Sequence, residues 1–384
     1  MKDTFSRPKR AVSIAIQLLA LSCAVATVQG ATWQVGLVDT TVGGKYSSLR
    51  IDQYGNAHIV SFDYPQWTIW YNFWDHKLNK WFSTPLDNGS GFCSMVLDSK
   101  QRPHISYPEY GTGKLRHVYW DGSSWIKETI RIRTRIISYY TSITLDSMDR
   151  PSISFYEELP AGAESPRLRV VTWNGKFWAV ETVDSDEGSG KFNSIATDSA
   201  GHLQIAYGNV EYKNASLRYA RWDGQAWQVE VLEGEGIPGT SMWSVSMILD
   251  KRNVPHIAYT DVVKRLVKYA TKIDGKWQFQ VVDSLAAVGY PDRYGIALDN
   301  EGSPYISYYD AGRGLLKVAH RKGSQWVSEV VDGDFAGFNS SLQIDHNTIW
   351  VTYADATGDR LKFARSSLEE IDSSSQKASE AARR

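Results

Sequence analysis

Aromatic and basic side chains that return at one place in the chain are its best candidates for chemistry. Tyr46, Phe92, Tyr140, Phe192, Trp243, Tyr294 and Phe338 each precede a short apolar run at nearly the same offset. The flat face of such a ring stacks on the apolar face of a sugar, and the polar end of Tyr or Trp suits a wet site. Arg293 stands directly before Tyr294, and Arg131, Arg133 and Arg135 alternate with Ile130, Ile132, Thr134 and Ile136. A guanidinium presents a planar fork that matches carboxylate or sulfate. The candidate ligand-binding set is therefore Tyr46, Phe92, Arg133, Arg135, Tyr140, Phe192, Trp243, Arg293, Tyr294 and Phe338. The plainer alternative is apolar packing beneath loops, with the arginines on a solvated strand face.

A reaction is harder to place. A lyase needs Tyr or His to take a proton and Arg to neutralise a uronate; Tyr139, Tyr140, Arg133, Arg135 and Arg293 could supply these groups. A glycoside hydrolase needs two carboxylates about 5 to 10 Å apart, and the acids here are too many for a pair to be chosen. No catalytic residue is assigned, and whether the protein is an enzyme stays open.

Other recurrent polar residues read as structural. Asp52, Asp98, Asp146, Asp198, Asp250, Asp299 and Asp345 lie 46 to 52 residues apart, each before a turn. Such an Asp accepts hydrogen bonds from backbone N–H groups just beyond it. Acids or their amides at Asp63, Glu109, Glu157, Asn209, Asp261, Asp310 and Asp355 precede Arg116, Arg169, Arg218, Lys268, Lys317 and Lys362. Ion pairs across each short hairpin account for both sets. His58, His104 and His256 share one position in separate copies. They cannot converge on one ion at about 2 Å, so no metal site is expected, and no cofactor is implied.

The elements that must hold these residues are repeats. Each Asp ends a small-then-apolar run (SLRID, SMVLD, SITLD, SIATD, SMILD, GIALD, SLQID), here strand A. Strand B follows a tight turn, as in HIVSF or HIAY; strand C surrounds Ile69, Leu115, Leu168, Leu217, Leu266, Leu315 and Leu361. Strand D opens at Trp81, Trp125, Trp178, Trp227, Trp277 and Trp326. Seven copies of four strands with period-two alternation predict an all-β, seven-bladed β-propeller of four-stranded antiparallel blades. The last copy lacks strand D, whereas Thr32–Asp39 (TWQVGLVD) reads like one, so the N-terminal strand should complete blade seven and close the ring.

With 384 residues and a formal net charge of −1, nothing suggests nucleic acid as a partner. Residues 1–30 carry Lys2, Arg7, Lys9 and Arg10 before an apolar run, the layout of a secretory signal peptide. A retained anchor is the rival reading. With cleavage the protein would be secreted, periplasmic or cell-surface, with no membrane partner. Residues 31–365 form the propeller, and 366–384 a polar, disordered tail with a helical turn near 368–371.

The repeat LxxDxxGxPHIxYxD, then LKYA, then DGxxW, resembles that of secreted bacterial propellers grouped with sialidase-like and fucose-lectin-like folds. It covers Thr32 to Arg365. The resemblance implies the architecture and leaves the activity open. The expected function is an exported lectin-like module that binds a glycan or polysaccharide on its loop face. A polysaccharide lyase or glycoside hydrolase on the same scaffold is the alternative, and a scaffold for a protein partner the second.

Overall fold

A computed structural model describes residues 32–39, 41–132, 137–158, 167–210, 215–234, 242–288, 293–355 and 360–371. The strands are numbered along the chain from β1 (Gln34–Leu37). Blade one is β2 (Lys45–Ile51), β3 (Ala57–Asp63), β4 (Thr68–Asp75) and β5 (Lys80–Asn88). Blade two is β6 (Ser94–Leu97), β7 (Pro103–Pro108), β8 (Leu115–Trp120) and β9 (Trp125–Thr129). Blade three is β10 (Ile137–Leu145), β11 (Pro151–Glu158), β12 (Arg167–Trp173) and β13 (Trp178–Asp184). Blade four is β14 (Ser189–Thr197), β15 (Leu203–Asn209), β16 (Ser216–Trp222) and β17 (Trp227–Glu233). Blade five is β18 (Met242–Leu249), β19 (Pro255–Asp261), β20 (Leu266–Ile273) and β21 (Lys276–Ser284). Blade six is β22 (Gly295–Leu298), β23 (Pro304–Asp310), β24 (Leu315–Lys322) and β25 (Gln325–Asp332). Blade seven takes β26 (Phe338–Asp345), β27 (Thr348–Ala354), β28 (Leu361–Ser367) and β1, which pairs antiparallel with β28 through Gln34↔Arg365 and Leu37↔Lys362. Each sheet is antiparallel and the seven stand in a ring.

Burial follows position in the blade. Second strands such as β3, β19 and β23 are buried at every residue, because a sheet lies on each side of them. Outer strands alternate, as in β5 and β21. Their leading tryptophans fill the wedge against the preceding blade: Trp125 meets Tyr71 at 4.9 Å, Trp277 meets Tyr219 at 5.1 Å and Trp326 meets Tyr269 at 5.3 Å. Trp33, just before β1, is 2% exposed within the core that joins blades six and seven. It thus takes the same place for blade seven.

Six of the seven strand-end aspartates cap their turns as expected. Asp52 Oδ1 accepts from the N–H of Tyr54 and Asn56, both at 2.8 Å, and Asp98, Asp146, Asp198, Asp250 and Asp299 repeat the pattern. The turn after Asp345 is shorter, with Asp345 paired to Thr348. Each of the three histidines meets a ring of its own blade through Nδ1: His58 lies 2.6 Å from Tyr71 Oη, His256 2.6 Å from Tyr269 Oη and His104 3.1 Å from His117 Nε2.

The ion pairs differ from the hairpin pairing read from spacing. The strand C base reaches back to the acid ending the previous blade: Arg116 to Asp87, Arg218 to Asp184, Lys268 to Glu233, Lys317 to Asp283 and Lys362 to Asp332. A tyrosine of the central strand donates to the same carboxylate, as Tyr207 does to Asp184 and Tyr353 to Asp332, both at 2.7 Å. Among the described residues only blade three keeps its main pair inside the hairpin, Arg169 with Glu157 at 3.0 Å. Its neighbour, blade two, has Ile130 and no acid at the corresponding place.

Two tiers of side-chain bonds bind the innermost strands together. In one, the donors Ser47, Cys93, Thr141, Asn193 and Ser340 reach the carbonyls of Asn339, Tyr46, Phe92, Tyr140 and Arg293. In the other, Ser341, Ser48, Ser94, Ser142 and Ser194 accept from the N–H of the next blade, at Leu49, Met95, Ile143, Ile195 and Met247. Blade six carries Gly295 where this serine would stand.

β28 runs to Ser367, residues 368–371 make one helical turn, and Ile371 is fully buried. Residues 1–30, read as a signal peptide, and 372–384 of the tail lie outside the described residues. Among the described residues no helix is long and apolar enough to cross a membrane.

Candidate functional site

Antiparallel blades send the A–B and C–D turns to one face of the ring and the B–C and D–A connections to the other. The second face carries the aromatics. In blades one, three, four, five and seven the first strand is bulged, so that two residues oppose one: Tyr46–Ser47, Tyr140–Thr141, Phe192–Asn193, Ser244–Val245 and Asn339–Ser340. The leading residue of each bulge has φ between 51° and 58°. A bulge re-aims a side chain, here toward the mouth of the channel. Bulky residues with positive φ are uncommon, and the repetition makes this a built feature.

The structure brings five of the predicted aromatics together. Tyr46 lies 4.1 Å from Phe92 by ring centroids, Phe92 4.0 Å from Tyr140, Tyr140 4.7 Å from Phe192, and Phe192 6.1 Å from Trp243. They form an arc over blades one to five. Arg293, from before β22, faces that arc across the channel and donates to the Cys93 carbonyl at 2.8 Å. Between them is a cavity of about 20 Å³, lined among others by Phe92, Tyr140, Phe192, Asn193 and Arg293. It has room for one water and none for a sugar ring.

The other two aromatics stand apart. Tyr294 is 2% exposed and packs between blades five and six, 6.1 Å from Tyr308. Arg293 takes the leading position in that blade, which turns Tyr294 inward. Phe338 packs against Tyr309, ring centroids 4.4 Å apart and planes tilted by 43°. Arg133 and Arg135 lie outside the described residues.

An exposed aromatic group sits beside the arc, on residues the strand A offset did not select. Tyr64 and Trp67 belong to the hairpin turn between β3 and β4, and Tyr110 to the one between β7 and β8. Trp67 and Tyr110 are stacked at 3.9 Å and 25°, with Tyr64 5.2 Å from Trp67. Tyr64 is 51% and Tyr110 46% exposed. Lys45 Nζ lies 4.4 Å from the Tyr64 ring centre. Phe62 links this ledge to the arc, 5.8 Å from Trp67 and 6.4 Å from Tyr46. Trp67 itself has φ 52°, at a turn position where blade five has Arg265 and blade six Gly314, both also positive. The signal in the sequence was three aromatics in two B–C turns whose counterparts in blades five and six carry none.

The opposite face has a larger hollow, about 620 Å³, at the seam of blades seven and one. Tyr54, His76, Asp345, His346, Trp350 and Arg365 are among its walls. Among the described residues no group of three or more His, Cys, Asp or Glu could hold a metal ion.

No protein-family model matches the sequence, and no curated protein does. Solved structures do match. A protein of unknown function from Dyadobacter fermentans gives a TM-score of 0.51 at 11% identity, over 87% of this chain and 99% of that one. The polysaccharide lyase Uly1 gives 0.53 at 10%, over 84% and 89%. Trypanosoma rangeli sialidase gives 0.52 at 10%, over 88% and 60%. Identities this low carry a likeness of fold alone.

Proposed function

We propose that the protein is an exported, lectin-like module that binds carbohydrate on the loop face, with Tyr64, Trp67 and Tyr110 as its stacking ledge. The observation that carries this reading is the Trp67–Tyr110 stack: two large rings held 25° from parallel on a half-exposed surface, one of them at positive φ. Rings fixed in this way lose little freedom when a flat partner settles on them. Lys45 and Tyr46 add polar groups at the edge, and the scaffold is of a kind on which a polysaccharide lyase and a sialidase are built.

Catalysis ranks second. Hydrolysis needs two carboxylates sharing a pocket, yet Asp87, Glu157, Asp184, Glu233, Asp283 and Asp332 are all engaged by Arg or Lys. A glycan array followed by titration calorimetry tests the proposal. Trp67→Ala and Tyr110→Ala should each weaken binding at least tenfold, and Tyr54→Ala on the opposite face should leave it unchanged. Binding that survives both ledge variants and falls with Tyr54→Ala would move the site to the seam hollow.

A further inference from the structure

The wedge between blades two and three is filled differently from others in the ring. At three joints the leading tryptophan meets a tyrosine of the preceding blade: Trp125 with Tyr71, Trp277 with Tyr219 and Trp326 with Tyr269. His117 holds that strand position in blade two. Trp178 of blade three meets its imidazole edge to face, at 5.4 Å and 73°. Among the described residues this joint also lacks an ion pair to lock it. Ile130 stands in the acid's place, and Arg169 binds Glu157 inside its own hairpin.

His117 is one link in a buried chain. Its Nδ1 lies 3.0 Å from Glu128 Oε2, its Nε2 lies 3.1 Å from His104 Nδ1, and His104 Nε2 lies 3.8 Å from Asp98 Oδ2. His117 is 2% and His104 8% exposed, and Tyr119 stacks on both rings, each at 5.2 Å. Arg102, bonded to Asp98 at 2.7 Å, and Asp149 are the other charged groups that act on His104.

Between two imidazoles one nitrogen must donate and the other accept. With both rings neutral, His104 Nδ1–H donates to His117 Nε2, and His117 Nδ1–H donates to Glu128. One added proton is accommodated by reversing the central bond: His117 then donates from both nitrogens, and His104 Nε2–H faces Asp98. A second proton leaves hydrogen on both facing nitrogens, and the bond between the rings is lost. Burial first, and then the His117 charge, lowers His104 to about 4.

We propose that this pair is an acid-sensitive latch: charging both His104 and His117 drives the rings apart, expels Trp178 from the wedge and opens the joint between blades two and three at its outer rim. The inner strands stay tied, because Thr141 Oγ1 donates to the Phe92 carbonyl at 2.8 Å and the Ile143 N–H to Ser94 Oγ at 3.3 Å. The opened joint takes up protons that the closed one refuses, so opening grows as pH falls from about 6.5 toward 4. Joints with a carboxylate lock hold through that range. Burial would raise Asp87 and Asp283, but Tyr107 and Arg116 on the first, and Lys317 and Tyr308 on the second, outweigh it and keep them ionised. Blades five and six supply the contrast: His256 meets Tyr269 and not a second histidine, and Lys317 grips Asp283 across the joint. The latch is independent of the ledge, which lies on blades one and two.

Hydrogen exchange at pH 7 and pH 4, corrected for the intrinsic rate and read by mass spectrometry, tests this directly. It compares β13, which starts at Trp178, with β25, which carries Trp326. On going to pH 4, β13 should lose at least about tenfold more protection than β25, since each extra proton taken up on opening counts about tenfold per pH unit. His117→Tyr rebuilds the His58–Tyr71 pair of blade one and leaves a single imidazole, so there the two strands should respond alike. His104→Gln also leaves a single imidazole and should give the same result. Equal losses in wild type overturn the proposal, and so does an excess at β13 that survives either variant. Neither variant alters Tyr64, Trp67 or Tyr110, so glycan binding is read separately.

Discussion

Tyr107 of blade two donates its hydroxyl to Asp87, at the end of blade one, across 2.7 Å, and Arg116 grips the same carboxylate at 2.8 Å. One acid is thus shared by two donors from the next blade, and four further joints repeat the arrangement. Tyr107→Phe and Arg116→Met should each cost about 1–3 kcal/mol. A double-mutant cycle read by urea denaturation should give a coupling energy clearly different from zero. Additive losses would mean that the two contacts act independently.

Acid should loosen the fold in two stages. Burial lowers His104 to about 4, helped by the His117 charge, against the pull of Asp98 and Asp149. Between pH 6.5 and 4 the unfolded chain therefore holds a proton that the folded His104 does not, and stability drops across that window, by about 1–3 kcal/mol. Burial would raise Asp52, but hydrogen bonds from His58, Asn56 and Tyr54 outweigh it and hold it near 2. Asp87 and Asp283 are lowered likewise by their donors. These carboxylates stabilise the fold above about pH 4, and their contribution is lost as pH falls toward 2. His256 is lowered by burial too, so melting temperature against pH should fall less steeply between 6.5 and 4 in His104→Gln than in wild type, and keep its fall below 4.

Gly295 stands where most blades carry a serine, so restoring the repeat looks harmless. It is not. A Cβ there would lie 2.4 Å from Leu342 N and 2.6 Å from Ser307 Oγ. Gly295→Ser should destabilise by about 1–3 kcal/mol, whereas Ser194→Gly should lose less than a clash does. Equilibrium unfolding of both variants decides.

Trp33 anchors the N-terminal strand in the core between blades six and seven. Trp33→Ala should cost about 3–5 kcal/mol. Deleting residues 32–39 should expose β28 and yield aggregated protein on size exclusion; a soluble, cooperatively melting deletion would show that the ring holds without this strand.

Trp67→Gly separates binding from stability. The loss of the Tyr110 stack is offset by relief of the positive φ, where glycine sits without strain. Its unfolding free energy should stay within about 1 kcal/mol of wild type, while calorimetry shows glycan binding lost.

The blades could be read from the chain because a period of 46 to 52 residues, a capping Asp and a leading Trp are local signals. Partner choice between blades could not. Asp310 and Lys317 are seven residues apart, yet Lys317 pairs with Asp283 of the previous blade and Asp310 with Arg313 in its own turn. Which acid a lysine finds depends on how two sheets are wedged, and sequence distance says little about that. The same holds for Tyr294: Arg293 takes the place that Tyr46, Phe92, Tyr140 and Phe192 hold in their blades, and the Tyr294 ring lies in the core, although its spacing resembles that of the arc residues. Trp67 and Tyr110 lie 43 residues apart and meet only because adjacent blades place their turns side by side.

Cys93 is fully buried at the joint of blades one and two, and its thiol donates to the Tyr46 carbonyl at 3.1 Å. Burial pushes that thiol up to about 12, so the reactive thiolate is scarce at neutral pH. The protein therefore carries its own clock for breathing. In a Cys23→Ser background, alkylation at this one position counts the moments when two neighbouring blades part, with no label or probe introduced into the ring.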